Sequence, residues 1–209
     1  SFDRPEMKVE VDEKGRPVNV YQKVTKEANW LIEEFMLLAN RTVAEFVATG
    51  CKGIGNAPAK GARKQAKTFV YRVHDEPNQE KVENLGNFGY RMGPTNTGKD
   101  ISRELNSLFE AAKDTPEYNA IELLSLRTMA KARYDTENLG HYGLAFKYYT
   151  HFTSPIRRYP DMLVHRLLDR YLEGGESAKQ DVYDKLCKHA SEREIVAAEA
   201  ERASIKYKL

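Results

Sequence analysis

The sequence is poor in cysteine and lacks a long apolar run. Cys51 and Cys187 are its two cysteines, and their separation fits no metal-binding pattern, so we expect free thiols in a reducing cytosol and a cytoplasmic protein. No stretch reaches the roughly 18 consecutive apolar residues that a membrane-spanning helix requires. The first residues, SFDRPEMKVEVDEKG, contain no basic region followed by an apolar stretch, so the sequence predicts no signal peptide.

Net charge is also low, because 33 Lys and Arg residues are balanced by 31 Asp and Glu residues and leave only +2. A nucleic-acid-binding surface on such a chain has to be a local patch rather than a global field. Apolar residues make up 41% and charged residues 31% of the sequence, a composition typical of a globular domain with a real core. The chain starts in a strand-like pattern and ends in a helical one, so we expect a portion of a longer protein.

The first third of the chain contains three patterns. Residues 7–22 alternate apolar and polar around Gly15, which predicts a β-hairpin. Residues 27–48 place apolar side chains at every third or fourth position, which predicts a helix that stops near Gly50. Residues 51–67, CKGIGNAPAKGARKQAK, hold five basic residues and no acidic one. We expect a flexible basic loop there, either a solvated linker or a segment that follows a nucleic-acid backbone.

The rest of the chain is mostly helical in pattern. Two segments indicate short strands: 68–77 and 143–152. Three segments indicate helices: 79–85, 101–113 and 117–132.

A further helix is expected over 155–172, with Pro155 in its first turn and Thr153 or Ser154 as its cap. Glycines 174–175 should end it, and a last, highly charged helix should begin near Ser177. The pattern predicts an α+β fold that is mostly helical, with a few strands belonging to a larger sheet or barrel.

The most distinctive segment is THFTSPIRRYPDMLVHRLL, residues 150–168, referred to below as the motif. In it, Arg157 and Arg158 lie between two prolines at a predicted helix start. Free backbone amides and the positive end of the helix dipole favour an anion there. Guanidinium groups add permanently charged donors that suit phosphate oxygens. The alternative is structural: the two arginines pair with neighbours such as Asp161 and cap the helix.

Four segments of the sequence, in the same order, resemble the RNB family of 3′-to-5′ exoribonucleases. The clearest is GHYGLAFKYYTHFTSPIRRYPDMLVHRLL, residues 140–168, which resembles the signature segment of that family. The others are WLIEEFMLLANRTVAEF (30–46), TFVYRVHDEPN (68–78) and SEREIVAAEAER (191–202). Together they extend over nearly the whole chain and are most similar to the bacterial ribonuclease R group.

The resemblance implies a reaction and a cofactor. RNB enzymes hydrolyse single-stranded RNA from its 3′ end and release nucleoside 5′-monophosphates, with Mg²⁺ held by closely spaced aspartates. The aspartates of this chain are scattered. We therefore expect residues 1–209 to be the C-terminal portion of a single RNB catalytic domain, inactive alone, with the magnesium ligands outside it. RNA-binding domains are expected to flank it in the parent protein.

The resemblance also implies roles for individual residues. Arg157 matches the arginine at the scissile phosphate and Glu201 a glutamate near the active centre, so both are candidate catalytic residues. Glu33 matches a residue that reads ribose hydroxyls, which would favour RNA over DNA. Arg158 fills a basic position and is expected to bind substrate. Three further motif residues are expected to contact phosphates or bases: Thr153, Ser154 and Tyr159.

Alternatives stay open at this point. Glu33 and Glu201 also fit the solvated faces of helices, and the aromatic residues of the motif also fit a core. His141, His151 and His165 raise the question of zinc, but their spacings of ten and fourteen fit no compact ligand motif, so no metal site is expected. For the whole chain, the alternative is a non-catalytic RNA-binding module or an inactive folding fragment.

Overall fold

The fold comes from a computed structural model, which describes residues 7–22, 24, 26–50, 66–77, 104, 107–112, 115–116 and 118–208. The helices and strands are, in chain order, β1 (Met7–Val11), β2 (Pro17–Gln22), α1 (Glu27–Ala48), β3 (Tyr71–Val73), α2 (Tyr118–Thr128), β4 (Arg133–Asp135), α3 (Tyr159–Leu172) and α4 (Gln180–Lys208). Mixed helices and small antiparallel sheets confirm the predicted α+β class. The predicted helix 79–85 and residues 51–65 of the basic loop lie outside the described residues.

The N-terminal hairpin is confirmed. Strands β1 and β2 pair antiparallel with Val9 opposite Val20. The carboxylate of Asp12 accepts hydrogen bonds from the backbone amides of Lys14 (2.9 Å) and Arg16 (2.8 Å), which fixes the turn. Gly15 has a φ of +75°, a left-handed conformation that glycine adopts without steric cost.

Helix α1 has the predicted bounds. It ends at Thr49, whose hydroxyl donates to the carbonyl of Glu45 (2.8 Å), and at Gly50, whose φ of +81° ends the helix. Its buried residues, Asn40, Ala44 and Val47, all lie in its second half. This half alone packs against the core.

The core forms where the second half of α1, the β3–β4 pair, α3 and the start of α4 meet. Helix α3 buries one face at helical spacing through Leu163, Val164, Leu167 and Tyr171. Those side chains pack with a set of apolar residues from the other elements: Ala44, Val47, Phe69, Val70, Val73, Tyr134 and Cys187. Arg72 and Tyr134 face each other across the β3–β4 pair.

The segments on either side of β4 differ from the sequence prediction. The predicted helix 117–132 ends as α2 at Thr128, and the chain then forms β4. The predicted strand 143–152 is wrong: a 3₁₀ turn over Tyr142–Leu144 is followed by irregular backbone. This segment runs beside β3 but is held by separate bonds, such as the one from the Thr150 hydroxyl to the Val70 carbonyl (2.6 Å), so no ladder forms.

The C-terminal part follows the prediction more closely. Gly174 has a φ of +83° and ends α3, and α4 begins at Gln180 rather than at Ser177. Cys187 on α4 is a buried free thiol, and burial raises its pKa to about 12, with help from the carboxylates of Asp135 and Asp184. Among the described helices, none combines the length and the apolar character needed to traverse a lipid bilayer.

Candidate nucleic-acid interface

The turn before α3 does not have the predicted form. Helix α3 begins at Tyr159, and Pro155 lies in a separate turn that is closed by a bond from the Arg158 amide to the Ser154 carbonyl (3.1 Å). The reason is Pro160, which has no amide hydrogen and would break a helix that had started at Pro155. Proline is instead favoured in the first turn of a helix, which is where Pro160 lies.

Asp161 holds this turn together. Its side chain is fully buried, and one carboxylate oxygen accepts bonds from the Ser154 amide (2.7 Å) and from Nη2 of Arg158 (2.9 Å). Neither Thr153 nor Ser154 caps α3, so that prediction is wrong. Of the two arginines, Arg158 pairs with Asp161, which is the structural alternative named from the sequence. A charge-assisted bond in a buried site fixes the position of the turn more firmly than a neutral bond would.

Arg157 has a different environment from its neighbour. Its side chain is exposed, and with the described residues it makes no hydrogen bond or ion pair. It lies on the wall of a cavity of about 620 Å³, referred to below as the arginine cavity. The arginine cavity lies between the start of α3 and one face of α4, and these residues define it: Tyr134, Arg157, Arg158, Tyr159, Pro160, Leu186, His189, Ala190, Arg193, Glu194 and Ala197.

The charges of the arginine cavity are mostly positive. Three arginines line it, and Arg193 was not among the residues expected from the sequence. Glu194 is the carboxylate on the wall, and it is bound by Arg72, which does not line the cavity. Tyr159 also lines the cavity and is 52% exposed, so it adds an accessible aromatic surface.

A buried polar layer supports the cavity wall. Arg72 binds both oxygens of Glu194, at 2.6 and 3.1 Å, and its guanidinium lies 4.6 Å from the ring centre of Tyr134. The Tyr134 hydroxyl lies 2.9 Å from Nδ1 of His151. The layer therefore joins β3, β4, α4 and the segment that leads into the motif.

The protonation states in this layer are set by burial. Burial raises the pKa of Tyr134 to about 12, although Arg72 lowers it in part. Burial, followed by the charges of Arg158 and Arg72, lowers the pKa of His151 to about 3. At neutral pH the imidazole and the phenol are therefore both uncharged, and they share one hydrogen bond through Nδ1. His151 therefore packs as a neutral group that is bonded to Tyr134.

Asn40 ties α1 to the motif, and sequence reasoning missed it. Its side-chain oxygen accepts bonds from the backbone amides of Phe152 (2.9 Å) and Thr153 (3.2 Å), and its nitrogen donates to the Tyr149 hydroxyl (3.2 Å). The available signal was a polar residue on the apolar face of a helix, which is buried only when its bonds are satisfied. Thr153 is also placed here, with a buried hydroxyl that has no partner among the described residues.

The two predicted glutamates do not line the arginine cavity. Glu33 and Glu201 are both exposed. Glu33 lies seven residues before Asn40 on α1, and Glu201 lies seven residues after Glu194 on α4. Seven residues are two helical turns, so each glutamate lies on the same helix face as that residue, ~10 Å away along the helix axis. The structure brings together Arg157, Arg158 and Tyr159 at the arginine cavity. It places the glutamates two helical turns from Asn40 and Glu194.

The described residues do not provide a magnesium or zinc site. No group of three or more His, Cys, Asp or Glu side chains within them is arranged to hold a metal ion. Near the arginine cavity, the carboxylates of Asp161 and Glu194 are both bound by arginines. His165 is bonded to the Phe152 carbonyl (2.8 Å) and stacks on the Phe152 ring. These side chains do not fit the oxygen-rich ligand set that Mg²⁺ requires.

Residue Lys67 of the basic loop is described, and it is bound to the protein. Its ammonium donates to the Gly175 carbonyl (2.6 Å) and lies 4.6 Å from the ring centre of Tyr171. Of the five basic residues predicted to be mobile, this one therefore anchors the end of the loop. The other four lie outside the described residues.

Comparisons with known proteins give a consistent result. The model of the RNB domain family matches residues 1–174. Ribonuclease R of Aquifex aeolicus is 38% identical over 99% of this chain, and ribonuclease R of Thermotoga maritima is 43% identical over 96% of it. The chain spans about a quarter of the length of these relatives, 28% and 27% respectively.

Solved structures agree with the sequence matches. RNase R of Mycoplasma genitalium, solved in complex with ribose methylated single-stranded RNA, superposes with a TM-score of 0.79 and 29% identity. The match covers 100% of this chain and 32% of that protein. Yeast Ssd1, described as a pseudonuclease, superposes with a TM-score of 0.59 and 26% identity over 78% of this chain and 19% of its own.

Proposed function

The chain belongs to the RNB family, and we propose that residues 1–209 form the C-terminal portion of the catalytic domain of a processive 3′-to-5′ exoribonuclease. In this proposal the complete protein hydrolyses single-stranded RNA to nucleoside 5′-monophosphates. The match to the family and the relatives named ribonuclease R support it. The small share of those relatives that the chain spans supports a longer parent protein with further RNA-binding domains.

The observation that carries the proposal is the free guanidinium of Arg157 at the arginine cavity. Arg158 is held by Asp161, so the turn has a fixed shape, while Arg157 is exposed and uncommitted with respect to the described residues. A phosphodiester at this position would meet an unpaired positive charge carried by a fixed turn, and such a charge stabilises most where negative charge increases during cleavage. Tyr159 offers a surface for base stacking beside it.

The other assignments belong to the same proposal. Mg²⁺ would be held by residues outside this chain. Glu33 would contact a ribose hydroxyl and Glu201 would act near the reacting phosphate, both from the faces of α1 and α4 that lead toward the motif. Thr153 and Ser154 would position the RNA backbone, with Ser154 limited to its side chain, because Asp161 already occupies its amide.

The test is to replace Arg157 in the intact enzyme. Arg157→Ala should lower the single-turnover cleavage rate about 100-fold and weaken RNA affinity less than tenfold, because the contact strengthens as charge develops. Arg166→Ala is the matched control, since Arg166 is exposed on α3, the helix that follows Arg157, but does not line the arginine cavity. Equal losses in rate and affinity would contradict a role at the reacting phosphate.

A second candidate function is RNA binding without cleavage. The similarity to yeast Ssd1, a pseudonuclease, favours it, because this fold occurs there under that description. The same experiment separates the two functions. If the intact wild-type protein binds RNA but shows no cleavage, and Arg157→Ala lowers only affinity, then the binding function is the correct one.

A further inference from the structure

Glu194 stands where it could neutralise the arginine cavity. It lines the same cavity as Arg157 and Arg193, and its side chain is 42% exposed. On its own helix, the residues three and four positions away are Ala190, Ser191, Ala197 and Ala198, none of which carries a positive charge. Helix α4 therefore offers Glu194 no local ion-pair partner.

Arg72, which does not line the arginine cavity, holds this carboxylate. Its side chain is only 13% exposed and binds both oxygens of Glu194, while its guanidinium rests on the ring of Tyr134. The backbone of Arg72 is fixed as well, because its amide donates to the Tyr149 carbonyl (2.9 Å) and its strand neighbours Tyr71 and Val73 are buried. A bidentate pair of this kind sets direction as well as charge.

We propose that Arg72 is a positioning residue for RNA binding, which keeps Glu194 away from Arg157 so that the arginine cavity stays positive. This inference rests on the proposed function of Arg157. Without Arg72, Glu194 becomes an unpaired carboxylate on a wall that holds three arginines. Arg158 is already held by Asp161. Arg193 directly precedes Glu194 on α4, and adjacent residues of a helix do not face each other. The free guanidinium of Arg157 is therefore the cation of the cavity that is left for Glu194. An internal ion pair would then compete with the phosphate for Arg157.

The matched control is a second arginine of the same sheet. Arg133 on β4 pairs with Asp75 and with Asp135 (3.4 Å), so Arg133→Met also breaks an arginine–carboxylate pair at this sheet. Neither of those carboxylates lines the arginine cavity. If Arg72 mattered only for general stability, the two substitutions would have similar effects on RNA binding.

The experiment is a mutant cycle in the intact enzyme, with binding of a labelled single-stranded RNA as the readout. Arg72→Met should weaken binding about tenfold at low salt, since one phosphate contact is lost. Arg72→Met combined with Glu194→Gln should recover binding to within about twofold of wild type. Glu194→Gln alone should bind at least as tightly as wild type, and Arg133→Met should bind like wild type.

Several outcomes would overturn the inference. They are wild-type binding by Arg72→Met, no recovery in the double variant, or weaker binding by Glu194→Gln. If Arg72→Met fails to fold, RNA binding by Arg72→Lys and by Glu194→Gln still tests the inference. Lysine keeps the positive charge, so Arg72→Lys should weaken binding only in part. Combining Arg157→Ala with Arg72→Met should give no further loss. Failure of Arg157→Ala itself to affect RNA binding or cleavage would reject the proposed function instead.

Discussion

The two halves of helix α1 lie in different environments. Its second half buries Asn40, Ala44 and Val47 against the motif and the core. Its first half has no buried residue, and four large apolar side chains are more than half exposed there: Trp30, Leu31, Ile32 and Phe35. The same apolar periodicity runs through both halves. It therefore predicts the helix but not which part of it has a packing partner.

The first way to test this comparison is to remove the anchor of the packed region. Asp161→Ala should lower the free energy of unfolding of the 209-residue chain by about 3 kcal/mol, because it leaves Arg158 and the Ser154 amide without their buried partner. Asp169→Ala, an exposed carboxylate on the same helix, is the control and should change stability little. Equal losses in urea denaturation would mean that Asp161 does not hold the turn.

A second test compares the two halves of α1 directly. Asn40→Ala should cost about 2 kcal/mol, because it leaves two backbone amides of the motif unpaired in a buried site. Phe35→Ala in the same chain should cost less than about 1 kcal/mol, because Phe35 is 60% exposed. If denaturation shows the phenylalanine to be the more costly loss, then the first half of α1 is packed and the comparison is wrong.

The smallest expected effect is an acid sensitivity that arises in the packed region. His151 has a pKa of about 3 in the folded chain against 6.5 in the unfolded chain, so the unfolded chain binds more protons as the pH falls below about 6.5. Stability is thus complete above that pH and decreases below it, by less than about 1 kcal/mol for this residue between pH 7 and pH 6. His151→Asn should make thermal unfolding less dependent on pH in this window, and an unchanged dependence would contradict the assigned burial.

Sequence reasoning succeeded where the determinants are local. Gly15, Gly50 and Gly174 mark a turn and two helix ends, and the structure has all three at positive φ. The bounds of α1 follow from its apolar period. These features depend on residues within a few positions of each other, which is the range that periodicity and glycine conformational freedom describe.

Features that depend on distant residues were not predictable in the same way. The segment before the motif is irregular because single bonds to β3, such as the one from Thr150 to Val70, replace a ladder. Arg193, which also lines the cavity, lies on α4 more than thirty residues after Arg157 in the sequence. Such contacts depend on how the elements pack together, which one sequence does not specify locally.

The central claim is that Arg157 contacts an RNA phosphate, and the salt dependence of RNA binding tests it most directly. For the intact enzyme, the logarithm of the affinity for single-stranded RNA is plotted against the logarithm of the salt concentration, for wild type and for Arg157→Ala. The account predicts a slope that is less negative by about 0.7 in the variant, the value for one lost phosphate contact on a single strand. Identical slopes would contradict it.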